Sequence, residues 1–90
     1  MLFVTYVTLL AERSKEAVED LKKLKPPPGV VIRSIYVLFG KYDALLVYEA
    51  HDEKMALDLI FQLRKIGGVY DTETYVAADL ERIEVESRHR

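Results

Sequence analysis

The sequence predicts an α+β domain in which strand, helix, strand, strand, helix and strand follow one another, and three observations carry that reading. Residues 2–10, residues 30–39 and Val69–Ala77 are runs rich in β-branched and aromatic residues, bounded by turn formers. Between them, two segments repeat their apolar residues at helical spacing instead. The tetrad Gly40-Lys41-Tyr42-Asp43 then cuts a long apolar stretch in two, so that Ala44–Ala50 becomes a strand of its own.

In chain order, the first strand, LFVTYVTLL, is apolar on both faces, with Val4 and Tyr6 on one and Phe3 and Val7 on the other. Ser14 is the expected N-cap of the first helix, whose stripe is Ala17, Val18, Leu21 and Leu24. Glu16, Glu19, Asp20, Lys22 and Lys23 fill its solvated side. Pro26-Pro27-Pro28-Gly29 ends that helix, because proline cannot continue it and pushes its predecessor into an extended conformation. Asp52 is the expected cap of the second helix, which runs to about Ile66 with Ala56, Leu59, Ile60, Leu63 and Ile66 inward. Leu57 and Phe61 widen that stripe. Gly67-Gly68 reads as a left-handed C-terminal cap. The last strand alternates Tyr70, Thr72, Thr74 and Val76 with Asp71, Glu73 and Tyr75. Residues 1–77 make the domain, and residues 78–90, with Leu80, Ile83 and Val85 among charges, are a C-terminal extension.

The order βαββαβ is the ferredoxin-like arrangement: a four-stranded antiparallel sheet with two helices on one face. The other face is ordinarily wet. Here alternation places Ile32, Tyr36 and Leu38 opposite Val31, Ile35 and Val37, so both faces of the second strand are apolar. A two-layer monomer would expose a broad apolar patch. The expected remedy is a sheet-to-sheet homodimer.

Composition narrows the function classes. Ninety residues make one domain with a modest core, burying about 60% of the surface of the unfolded chain, so association is an expected source of stability. A formal net charge of −2 argues against a nucleic-acid surface. Cysteine is absent, which excludes disulfides and thiolate chemistry, and His51 and His89 lack metal-ligand spacing. No run reaches the ~20 apolar residues of a membrane span, and no signal peptide is visible, so the expected location is cytoplasmic. The chain has no Asn and one Gln alongside abundant Glu, Lys and Arg, a thermophile's signature that a mesophile-range melting temperature would refute.

The corner Gly40-Lys41-Tyr42-Asp43, the step Ile66-Gly67-Gly68-Val69 and the strand Thr72-Glu73-Thr74 together resemble the C-terminal effector-binding domain of the leucine-responsive regulatory protein (Lrp/AsnC) family, also called the RAM domain. That family shows glycine–any–aromatic–aspartate, a helix, a glycine-valine step and a threonine–any–threonine strand, and the match spans residues 2–77. The same residues are similar to the GYD family, a close structural relative named for glycine-tyrosine-aspartate, which Lys41 interrupts here. The Lrp/AsnC resemblance implies sheet-mediated dimers, higher ring oligomers and amino-acid effectors bound between dimers, with no cofactor. Carried onto this chain, it implies that Gly40 brings the backbone close to the ligand, Asp43 accepts from an α-ammonium group, and Tyr42 walls the pocket. Thr72 and Thr74 would offer hydroxyls to a carboxylate, with Tyr70 at the head of the same strand. Full regulators begin with a helix-turn-helix, for which this chain has no residues. The implied function is therefore a stand-alone effector module that acts on transcription indirectly, through a partner such as a full-length Lrp-type regulator.

Other readings stay open. Gly40 and Asp43 also make a good turn by themselves, and Thr72 and Thr74 are ordinary strand residues. A GYD-like structural or housekeeping oligomer needs no amino acid. The fold superfamily also holds cofactor-independent monooxygenases, but those use a base and residues such as His, Asn or Trp near the substrate; with no Trp, no Asn and no well-placed His, the expectation is no enzyme. Stacking of RNA bases on sheet tyrosines is disfavoured by the acidic charge and by the leucines of the Lys41–Tyr48 stretch.

Overall fold

A computed structural model describes residues 1–81. The elements are β1 (Leu2–Leu9), a 3-10 turn (Ala11–Arg13), α1 (Ser14–Lys22), β2 (Val30–Val37), β3 (Ala44–Ala50), α2 (Glu53–Arg64) and β4 (Val69–Ala77). The sheet runs β2-β3-β1-β4 with every neighbouring pair antiparallel, which is the ferredoxin-like layout. Only residues 78–81 of the predicted extension fall within the description, with Leu80 exposed; residues 82–90, including Ile83 and Val85, lie outside it.

The core lies between the sheet and the helices. Phe3, Val7, Leu46 and Tyr48 of the central strands pack with Leu21 of α1 and Ala56, Leu59 and Leu63 of α2. Each such large side chain contributes about 1.5–3 kcal/mol on burial. The predicted stripes hold: Ala17 and Leu21 are buried in α1, and Val18, Leu24, Ile60 and Ile66 are half-buried beside them. Leu57 and Phe61 flank the α2 stripe and are exposed.

Helix ends differ from the sequence reading in instructive ways. Asp52 caps α2 as expected, its Oδ1 accepting from Met55 N–H at 2.9 Å. Asp52→Ala is expected to cost about 1 kcal/mol, read as a lower urea midpoint at unchanged slope. Ser14 does not cap α1. The 3-10 turn carries the chain into the helix, and the Ser14 hydroxyl donates back to Ala11 C=O at 3.0 Å. Gly67-Gly68 is not a left-handed cap either; among the described residues the positive φ belongs to Gly29, at 81°. Gly68 is small for another reason. A Cβ there would lie 2.6 Å from the Arg13 carbonyl oxygen and 2.7 Å from Ala17 Cβ, so this backbone packs directly on the start of α1.

The faces of β2 also need correcting. Its register shifts between Ile32 and Ser34, leaving Arg33 as an extra residue on an edge strand. An inserted residue reverses alternation beyond it. Val30, Ile32, Ile35 and Val37 therefore share the helix side, while Val31, Ser34 and Tyr36 share the open side. The open face remains apolar: Val4 and Tyr6 on β1, Leu45 and Val47 on β3, Val31 and Tyr36 on β2, and Tyr75 on β4.

Candidate ligand site

The corner between β2 and β3 is held by Asp43 at three points. Its N–H donates to Val7 C=O at 2.9 Å, and its own carbonyl accepts from Leu38 N–H at 2.9 Å. Its Oδ2 accepts from Leu9 N–H at 2.7 Å, tying the end of β1 to the corner. At Gly40 an added Cβ would meet nothing within 4 Å, so the chain itself does not demand glycine there.

Tyr42 turns onto the open face. Its ring lies 4.6 Å from that of Tyr6, and Tyr6 meets Tyr75 edge-on at 6.2 Å. Its hydroxyl donates to Glu73 Oε2 at 2.5 Å. Lys41 Nζ stands 5.5 Å from the Tyr42 ring centre. The bond to the Glu73 carboxylate, together with desolvation, pushes the phenol up to about 12. A raised phenol favours the folded state below its ordinary value near 10, and that contribution is lost as pH climbs through about 12. Titration of the ultraviolet tyrosinate band should show Tyr42 ionising late, and Glu73→Ala should bring it back toward the ordinary range.

Thr72 and Thr74 face the other way. They pair with Val7 and Thr5 on the helix side of the sheet. Thr5 Oγ1 lies 2.8 Å from Thr74 Oγ1 and 2.8 Å from the Tyr48 hydroxyl, and Thr5 and Tyr48 are fully buried. Tyr70 is the extra residue where the β1–β4 register shifts, and is exposed. Within one chain the predicted residues thus separate: Tyr42 on the open face, Thr72 and Thr74 on the helix side, Gly40 and Asp43 at the corner and Tyr70 at a bulge. Sequence reasoning did not find Thr5, Tyr48 or Glu73 as partners of these groups. Their roles follow from register, and no local motif signals it.

Two recesses lie near these residues. One, of about 360 Å³, runs between α1 and the corner, lined by Lys15, Val18, Val37, Leu38, Phe39 and Asp43 among others. The other, of about 440 Å³, is a groove between α2 and the end of β4. Phe3, Ala56, Leu57, Ile60 and Val76 give it apolar walls, Thr74 adds a hydroxyl, and Glu53 and Lys54 are its charged residues. Apolar walls with a few polar groups and a volume of a few hundred cubic ångströms are what a small-molecule site requires.

The family model described as the GYD domain matches residues 5–85, and the match holds with Lys41 inside the motif. Among curated proteins, none matches the sequence. Of solved structures, the protein TTHA0845 of Thermus thermophilus is similar at 22% identity and TM-score 0.69, over 87% of this chain and 92% of that one. A transcriptional regulator of Neisseria meningitidis, solved as a complex with L-Met, is similar at 21% identity and TM-score 0.69. The match spans 87% of this chain but 49% of the regulator. A hypothetical protein of Pyrococcus horikoshii follows at 24% identity and TM-score 0.61, over 88% and 92% of the two chains. These likenesses show a shared fold. Both resemblances read from the sequence fit these findings: the family match is to GYD, and the fold is shared with a transcriptional regulator.

Proposed function

Since this chain belongs to the GYD domain family, whose fold it shares with a regulator crystallised with L-Met, we propose that it is a self-associating regulatory module that binds a small molecule of the amino-acid class. It acts by binding rather than by catalysis. The observation that carries this reading is the groove between α2 and β4, an apolar recess of about 440 Å³ with Thr74, Glu53 and Lys54 as its polar residues. A zwitterion with an apolar side chain asks for that combination: donors for its carboxylate, an acceptor for its ammonium group, and apolar walls for the rest.

The open face supplies the association. Val31, Tyr36 and Tyr75 are more than half exposed there, which supports a second copy packed sheet to sheet. Dimers would build larger rings, and mixed assembly with a full-length Lrp-type regulator would carry the signal to DNA. A ligand stabilises whichever assembly contains its site, so ligand and assembly state are linked.

A second reading has its own support. The Asp43 carboxylate is already engaged by Leu9 N–H, so the corner serves the fold without any ligand, as a housekeeping oligomer of the GYD kind would need. Thermal unfolding against the twenty amino acids, with light scattering on the same samples, separates the two. A ligand at about 100 times its dissociation constant adds roughly 2.7 kcal/mol. A shift with one or a few amino acids supports the regulatory module. A stable oligomer with no shift supports the second reading.

A further inference from the structure

We propose that the buried hydroxyl chain Tyr48–Thr5–Thr74 fixes Thr74 as a hydrogen-bond donor into the α2–β4 groove, so that the groove takes its ligand acid end first. This rests on the binding function proposed above and specifies the polarity of that site. Thr5 and Tyr48 are the positioning residues.

The argument is a proton count. The chain has two contacts of 2.8 Å, Tyr48 to Thr5 and Thr5 to Thr74. Each hydroxyl carries a single proton. With protons running outward, Tyr48 donates to Thr5, Thr5 donates to Thr74, and the proton left over sits on Thr74, which lines the groove. With protons running inward, Thr74 donates to Thr5 and Thr5 to Tyr48, and the proton left over sits on Tyr48. Tyr48 has no exposed surface, and among the described residues its hydroxyl meets no partner besides Thr5. If both ends donate to Thr5 instead, the spare proton sits on Thr5, which is fully buried and has no further partner among the described residues. A buried donor without an acceptor disfavours either of these states by roughly fivefold to a hundredfold. The outward order wins, and Thr74 faces the groove with a proton to give.

A donor at this position selects among ligands. A carboxylate accepts from Thr74, and the groove's charged residues, Lys54 and Glu53, offset one another, so Thr74 decides the polarity at its own position. An ammonium group placed at Thr74 meets that proton and is left one lone pair of the oxygen, since Thr5 holds the other, so it binds at Thr74 less well than a carboxylate does. The apolar walls of Phe3, Leu57, Ile60 and Val76 take a branched aliphatic tail. The ligand class is a small organic acid with an apolar tail, amino acids included.

The test uses isocaproate and isohexylamine, probes of similar carbon skeleton that differ in the polar end, with binding read by heteronuclear NMR titration of the full chain. The parent should prefer isocaproate by about tenfold or more. Thr74→Val should lose most of that affinity. Thr5→Val breaks the chain and frees Thr74 to accept, so the preference should shrink severalfold through gained amine binding, and Thr5→Ser should restore it. A purely structural role for Thr5 would not make the amine bind better. The inference is overturned if the parent binds neither probe, if Thr74→Val binds isocaproate as the parent does, or if Thr5→Val keeps the parent's selectivity. An amino-acid response that persists unchanged in Thr74→Val would keep the regulatory module and remove this groove as its site.

Discussion

If the proposed sheet-to-sheet dimer forms, aspartate in place of Val47 or Tyr36 is expected to convert it to monomer or aggregate. Both residues sit on the open face, where Val47 pairs with Val4 across β1–β3 and Tyr36 pairs with Leu45 across β2–β3. In a sheet-to-sheet dimer each would be covered, and a new carboxylate would have no partner there. Breaking the desolvation balance of an interface in this way costs about 3 kcal/mol or more. That is roughly a hundredfold or more in dimer dissociation constant. Sedimentation across a concentration series reads it directly. Val37→Asp is the control. The sequence alternation would place Val37 opposite Tyr36, and the register confirms that it points to the helix side, where it is 55% exposed. An oligomer unchanged by Val47→Asp and Tyr36→Asp would remove the sheet-facing dimer.

The choice of Tyr36 shows what a sequence pattern can and cannot supply. That Val31 and Tyr36 lie on one apolar face is a matter of register. Strict alternation counted from Val31 sends Tyr36 to the opposite side, and the extra residue Arg33 brings it back. Apolar periodicity was enough to place every strand and both helices, because each element must bury a stripe or face of its own. It was not enough to place an edge-strand bulge, which changes parity without changing composition. The same limit applies to the candidate site. Thr74 was legible from a threonine–any–threonine pattern, but its partners Thr5 and Tyr48 stand 69 and 26 positions away, and Thr5 is itself 43 positions from Tyr48. Only the pairing of β1 with β3 and β4 makes them neighbours. Gly68 is a third case: its smallness answers to Arg13 and Ala17 packed against it, although a glycine after a helix reads locally as a cap.

Asp43 carries the second large effect, and it separates the structural meaning of the corner from the ligand-binding one. A corner carboxylate that only met a ligand could be removed without cost to the fold. Here Oδ2 accepts from Leu9 N–H at 2.7 Å, a charge-assisted bond across a partly buried gap of 34 positions. Asp43→Ala deletes the acceptor and leaves the Leu9 N–H unpaired where the last residues of β1 meet the corner. The expected loss is about 2 kcal/mol. For a domain this size that is roughly 10 °C in melting temperature. Asp43→Asn keeps an acceptor oxygen of the same reach and should recover more than half of the loss. The pair of variants then tests the corner's role. If Asp43→Asn is stable and binds amino acids as the parent does, the charge at this corner has no part in binding. If it is stable but has lost the response, the carboxylate meets the ligand as well as the Leu9 amide, through its second oxygen. If Asp43→Ala is as stable as the parent, the Leu9 bond contributes nothing, and the aspartate of this motif needs a role outside the single chain.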